Sequence, residues 1–155
     1  MEPLINQIHK LLIKNKKTLA VAESCTGGLL SYLLTSISGS SKYFILGLVV
    51  YSNKSKTSIL NIPVPTITQK GTVSKEVAER ISQSVRKLAK TDFGIGLTGI
   101  AGPTGGTIHK PVGTVFISVN SKKQKICQEF HFQGSRKHIQ KAAALKALQL
   151  LKRLI

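Results

Sequence analysis

The sequence predicts an α/β protein, a three-layer α/β/α sandwich around a mixed, mostly parallel sheet of about five or six strands. Three observations predict it. Apolar segments of strand length alternate with amphipathic segments of helix length. Polar turns, two of them glycine-rich, follow the apolar segments. Two late strands are joined by a short polar turn, which makes the sheet mixed rather than purely parallel. The 155 residues are most simply one domain, 1–155, long enough to bury a sizeable core.

Each element has its own signal. Residues 3–15 carry Leu4, Ile5, Ile8, Leu11 and Leu12 at i, i+3/i+4 spacing, an amphipathic helix. Residues 18–23 are a short strand, and residues 25–37 a helix that ends near Gly39. "KYFILGLVVYS", 42–52, is apolar and rich in β-branched and aromatic residues, and reads as a strand buried on both faces. "NKSKTSIL" begins a short helix. "NIPVPTITQKG", with Pro63 and Pro65, reads as a loop. Ser74 starts a helix running to about Lys90, with Glu76 and Glu79 near its positive end. "FGIGLTGI", 93–100, is another buried strand and "AGPTGGTIHK" a glycine-rich loop. "PVGTVFISV" and "KICQEFHF" form a hairpin through "NSKK". "SRKHIQKAAALKALQLLKRLI" closes the chain as a helix with Ala and Leu on one stripe.

Composition excludes several classes. A hydrophobic share of 41% fits a globular protein. No apolar run approaches the roughly 20 residues a bilayer requires. "MEPLINQIHK" lacks the charged-then-apolar pattern of a secretory signal, so a cytoplasmic protein without membrane contact is expected. Cys25 and Cys127 are isolated and read as reduced thiols; neither a metal nor another cofactor is expected. Twenty-three Lys and Arg against six Asp and Glu give a formal charge of +17. Such a charge suits a nucleic-acid binder. Yet the lysines are spread along the chain, and the runs "KNKK" (14–17) and "KKQK" (122–125) fall in expected turns. Aromatic residues are 5% and none interleave with these runs. The expectation is therefore no specific nucleic-acid partner, only weak, salt-sensitive binding. The same field should attract small anions.

The chemistry concentrates in "AVAESCTGGLLSYLL", 20–34, where a strand gives way to a helix. A helix N-terminus offers free N–H groups and partial positive charge, which could stabilise an oxyanion near Ser24. Gly27 and Gly28 let a ligand approach the backbone. From this turn alone, a capping hydroxyl and close packing explain the residues more simply. "SCTGG" is neither a G-x-S-x-G elbow nor part of a phosphate-binding P-loop. A serine nucleophile needs a base, and His9, His109, His131 and His138 are scattered. Lys56 is the better candidate: it follows the 42–52 strand in "YSNKSK", in the first turn of a helix whose dipole disfavours the ammonium form. In a parallel sheet the turns carrying Ser24, Lys56 and "TGIAGPTGG" share one crevice. Cys25 is an alternative nucleophile or an inert packed thiol. Glu23 either contacts ligand or satisfies local N–H groups, and Tyr51 either serves the site or packs a strand end.

"AESCTGG", "GSS", "VVYSNKSK", "GTVS", "TGIAGPTGG" and "KPVGTV" together resemble the motif set of the CinA C-terminal domain family, in order, over about residues 18–136. The family's stand-alone members are nicotinamide-nucleotide amidohydrolases. The resemblance implies hydrolysis of the carboxamide of nicotinamide mononucleotide (NMN) to nicotinate mononucleotide and ammonia, without metal. It implies Ser24 as nucleophile and Lys56 as general base, with Tyr51, Ser41 and Thr98 around the reaction centre and Arg136 binding substrate. Glu23, Thr26, Gly27, Gly28, Asn53, Gly99, Ala101 and Gly102 complete the expected substrate-binding set. A homo-oligomer, a dimer before other states, is also expected. The alternative is a non-catalytic nucleotide- or protein-binding relative linked to DNA uptake or repair. Thr104 and His109 depart from the family pattern and bear on substrate preference.

Overall fold

The structure, a computed structural model, describes residues 2–155. Strands β1 (Leu19–Glu23), β2 (Phe44–Val49) and β3 (Phe93–Gly99) run parallel, with β1 between the other two. β4 (Thr114–Asn120) pairs antiparallel with β3, and β5 (Lys125–His131) antiparallel with β4. The order is β2-β1-β3-β4-β5, one mixed sheet of five strands.

Six helices cover the sheet: α1 (Glu2–Lys14), α2 (Leu29–Thr35), α3 (Asn53–Leu60), α4 (Val64–Lys70), α5 (Lys75–Ala89) and α6 (Arg136–Lys152). The period of two in a strand divides the core. Leu19 and Val21 of β1 join Ile8, Leu12, Leu30 and Leu148, so α1, α2 and α6 share one face. Ala20 and Ala22 join Leu60, Ile67, Val77 and Ile81, so α3, α4 and α5 share the other. This is the expected three-layer sandwich.

The second face is narrow because its strand residues are small. A Cβ on Gly94 would stand 2.6 Å from Arg86 Cβ and strike the Ser82 carbonyl oxygen. One on Gly96 would stand 2.5 Å from the Ser82 nitrogen and 2.7 Å from the Ala78 oxygen. Here "FGIGL" needs glycine for close approach of α5, not for an unusual dihedral.

Three readings from sequence are corrected. The 42–52 run is not buried on both faces. β2 is an edge strand whose residues alternate between half-buried and exposed, and Ile45 and Val49 are each 51% exposed. Residues 61–71 are not all loop. Pro63 is the N-cap of α4 and Pro65 lies in its first turn, where a missing N–H costs nothing, while Ile67 is buried. The 25–37 helix starts only at Leu29, because Gly27 and Gly28 both hold positive φ, at 61° and 98°. No helix among the described residues is long and apolar enough to cross a membrane.

The α5–β3 contact yields a stability prediction. Gly96→Ala should lower unfolding free energy by about 2 kcal/mol through overpacking, without altering the far-UV spectrum. Denaturant titration measures it, and an unchanged midpoint would show that α5 moves away freely.

Candidate active site

Glu23, the last residue of β1, sets the site's geometry. Its side chain is fully buried. Oε2 accepts from the N–H groups of Gly28 (3.1 Å) and Leu30 (3.0 Å) and from the Thr26 hydroxyl (2.6 Å). Oε1 accepts from the Ser31 N–H (2.8 Å) and hydroxyl (2.6 Å). One carboxylate thus caps α2 from six residues before its start, satisfying orphan donors and complementing the helix dipole. Glu23 does not reach the cavity, and Thr26 and Gly28 spend their donors on it. The α2 N-terminus is therefore not open to a ligand, contrary to the expected substrate-binding set.

The turn pinned in this way presents Ser24, 8% exposed, to Lys56, 1% exposed. Lys56 comes from α3, whose N-cap Ser52 forms a reciprocal capping box with Ser55. Lys56 Nζ stands 3.2 Å from Ser24 Oγ and 3.3 Å from the Tyr51 carbonyl oxygen. Among the described residues no carboxylate forms an ion pair with it. Burial lowers its pKa below the ordinary lysine value, countered in part by Cys25 beside it. Burial also pushes the Cys25 thiol up to about 12, with Glu23's charge adding to the rise, so this cysteine is protonated near neutrality.

Nine of the expected residues line one cavity of about 440 Å³: Ser24, Tyr51, Asn53, Lys56, Thr98, Gly99, Ala101, Gly102 and Arg136. Arg136 is the first residue of α6. Its guanidinium donates to the Gly102 carbonyl (2.7 Å) and the Tyr51 hydroxyl (2.8 Å), tying two loops together. Thr98 donates to the Thr72 carbonyl (2.7 Å), so its proton is committed to the fold. Gly27 lies on the turn but outside the cavity lining. Ser41 is far from the centre. It precedes β2, whereas Ser24 follows β1, and parallel pairing puts these positions at opposite ends of the sheet.

Sequence reasoning missed three contributors. Gln140 donates to the Cys25 carbonyl (2.9 Å) and holds the Ser24 turn from α6; its i+4 spacing from Arg136 was a usable signal. Lys110 donates to the Val73 carbonyl (2.6 Å) and closes the cavity wall, a link across 37 residues that no local pattern announces. Thr72, in "GTVS", lines the cavity with a buried hydroxyl that has no partner among the described residues. Thr104 is also in the lining, whereas His109 is exposed outside it.

Two stability predictions follow from the buried ionisable groups. Glu23→Ala should destabilise by about 3 kcal/mol, because it orphans the donors that α2 now spends on the carboxylate. Denaturant unfolding of this variant measures it. Lys56→Met should instead stabilise the protein. The folded pKa of Lys56 is depressed, so above it the unfolded chain binds more protons and wild-type stability rises with pH. The variant's advantage should be full below the folded pKa and shrink as pH climbs toward the lysine value of about 10.4. Unfolding titrations across pH test this, and a constant difference would show that Lys56 is not destabilised by burial.

Residues 1–155 match the family model described as the CinA C-terminal domain. The chain is 46% identical over 153 residues to a CinA-like protein of Syntrophus aciditrophicus (strain SB), covering 98% of this chain and 36% of that protein. It therefore spans just over a third of the length of such relatives. Among solved structures, the competence/damage inducible protein CihA from Agrobacterium tumefaciens superposes with a TM-score of 0.96 at 33% identity, covering 99% of this chain and 94% of that one. A CinA superfamily protein from Escherichia coli gives a TM-score of 0.93 at 30% identity, covering 98% and 88%. With the family model matched along the whole sequence and the fold shared with these structures, the chain belongs to the CinA C-terminal domain family.

Proposed function

We propose that the cavity hydrolyses an amide, the nicotinamide carboxamide of NMN, to nicotinate mononucleotide and ammonia. The observation that carries this reading is the Ser24–Lys56 pair: a hydroxyl 3.2 Å from a buried lysine nitrogen whose pKa is lowered and which has no carboxylate partner among the described residues. A lysine so placed gives up its proton more readily than a free one, as a base must. Its lone pair accepts the Ser24 proton while Oγ bonds to the carboxamide carbon. The carbonyl oxygen becomes an oxyanion, and the Cys25 and Thr26 amides are the donors for it, since that of Gly27 serves the Ser24 carbonyl and those of Gly28, Leu30 and Ser31 serve Glu23. The Lys56 ammonium then returns its proton to the nitrogen leaving group, and ammonia departs. Water, deprotonated by Lys56, opens the acyl-enzyme and regenerates Ser24.

Arg136 suits the substrate phosphate. Its guanidinium is forked: one arm is held by the Gly102 carbonyl, and the other meets the hydroxyl of the exposed Tyr51, which an anion can displace. The net charge of +17 draws such an anion in. Cys25 is a poor rival nucleophile, because its thiol holds its proton.

Turnover of NMN followed by ammonia release tests the reading. Ser24→Ala and Lys56→Ala should each lose several orders of magnitude in kcat, with the double variant little worse, because the pair acts as a unit. Cys25→Ala should retain most activity. The pH profile of kcat/KM should rise through the Lys56 pKa, below the free-lysine value of about 10.4. Binding of NMN without ammonia release would support a non-catalytic nucleotide-binding protein instead. Loss of activity in Cys25→Ala but not in Ser24→Ala would move the nucleophile to the thiol.

A further inference from the structure

The basic residues that look dispersed in sequence converge on one end of the molecule. β1, β2 and β3 point their carboxyl ends at the cavity, so the chain segments that enter them lie at the opposite end. The α1–β1 connection brings Lys14, Lys16 and Lys17 there. The end of α5, just before β3, brings Arg86, Lys87 and Lys90. β4 runs antiparallel to β3, so the β4–β5 turn delivers Lys122, Lys123 and Lys125 to the same end. α6 returns from the cavity end and finishes there with Lys152 and Arg153. With Lys42, in the segment that enters β2, twelve of the 23 Lys and Arg therefore occupy one pole.

Carboxylates do not balance them. Asp92 is neutralised by Lys17 at 3.1 Å, and Glu79 by Lys125 at 2.9 Å. Lys14, Lys16, Lys87, Lys90, Lys122 and Lys123 are exposed and take part in none of the ion pairs among the described residues. Helix dipoles account for cations at the ends of α5 and α6, but not for those in the turns. The β4–β5 turn stands between two concavities. One of about 520 Å³ is lined by Arg80 and Arg86 together with Glu76 and Glu79 of α5, the other of about 310 Å³ by Lys17, its partner Asp92 and Phe93, and both by Lys122 and Lys123, so cations outnumber carboxylates in each.

We infer that this pole docks the phosphate backbone of double-stranded nucleic acid without reading sequence. A protruding basic turn flanked by two grooves matches the relief of a duplex better than a flat bilayer. The turn tip, Ser121 to Gln124, carries no apolar anchor for a membrane. Exposed aromatic platforms that single strands would stack on are also missing here, since the exposed tyrosines, Tyr32 and Tyr51, belong to α2 and to the cavity side. The inference is independent of the amidohydrolase reading, because its residues lie outside the cavity.

The experiment measures binding of a short labelled duplex DNA by fluorescence anisotropy between about 50 and 200 mM salt. Wild type is compared with a pole variant, Lys87→Glu, Lys90→Glu, Lys122→Glu and Lys123→Glu together. A charge-matched control changes Lys10, Lys54, Lys137 and Lys141 to Glu. Circular dichroism establishes that both variants are folded. The pole variant should bind at least about tenfold more weakly, with a salt slope shallower by about two or more, while the control stays near wild type. Equal losses in both variants would show that net charge, not the pole, does the binding, and would overturn the inference. So would tighter binding of wild type to phosphatidylcholine–phosphatidylserine vesicles than to the duplex, or no duplex binding at all.

Discussion

The buried carboxylate of Glu23 is the contact on which the site depends. A chain with six acidic residues commits one to an interior position where, among the described residues, no cation pairs with it and five neutral donors hold it. The arrangement fixes the exit angle of β1, starts α2 at Leu29 and fills the coordination of the helix N-terminus. The turn between is left without freedom to swing, and Ser24 at its head has a defined place. Glu23 thus acts on Ser24 through backbone geometry, with no atom in the cavity.

Lys56 is the complementary case. Its burial is unfavourable, and that is what makes it useful. An ammonium without a carboxylate partner is held in a position where losing its proton relieves a desolvation penalty. Stability is diminished at one residue, which in the proposed mechanism is the one that serves as base. The surrounding fold compensates through two cores, one on each side of the sheet. The remaining cavity walls are joined by single hydrogen bonds between distant segments: Arg136 to Gly102 and Tyr51, Thr98 to Thr72, Gln140 to Cys25 and Lys110 to Val73.

The molecule also separates its charges by position. Parallel strands create two chemically distinct ends from one topology. Strand carboxyl ends gather the turns that build the cavity, while strand entries and helix C-termini gather lysines. That separation is invisible in the linear order, where "KNKK" and "KKQK" are more than a hundred residues apart and read as two ordinary solvated turns.

By itself the sequence determined the alternation of elements, the mixed sheet and the turns that carry Ser24, Lys56 and "TGIAGPTGG", while Thr98 and Arg136 were named through the resemblance to a family. Those signals are local: periodicity of three to four or of two, a Ser at a helix start, glycines beside a polar turn. The meeting of Ser24 with Lys56 was also legible, because parallel strands oblige their following turns to converge. Only the tertiary structure decided the rest. β2 became an edge because strand order is a long-range property, so an apolar run alone cannot say how many neighbours it has. Pro63 and Pro65 opened a helix instead of breaking one because Ile67 found a core to anchor in. Ser41 fell to the far end because its motif precedes its strand rather than follows it. Glu23 turned inward because the donors waiting for it, at 26, 28, 30 and 31, are aligned only once α2 has formed.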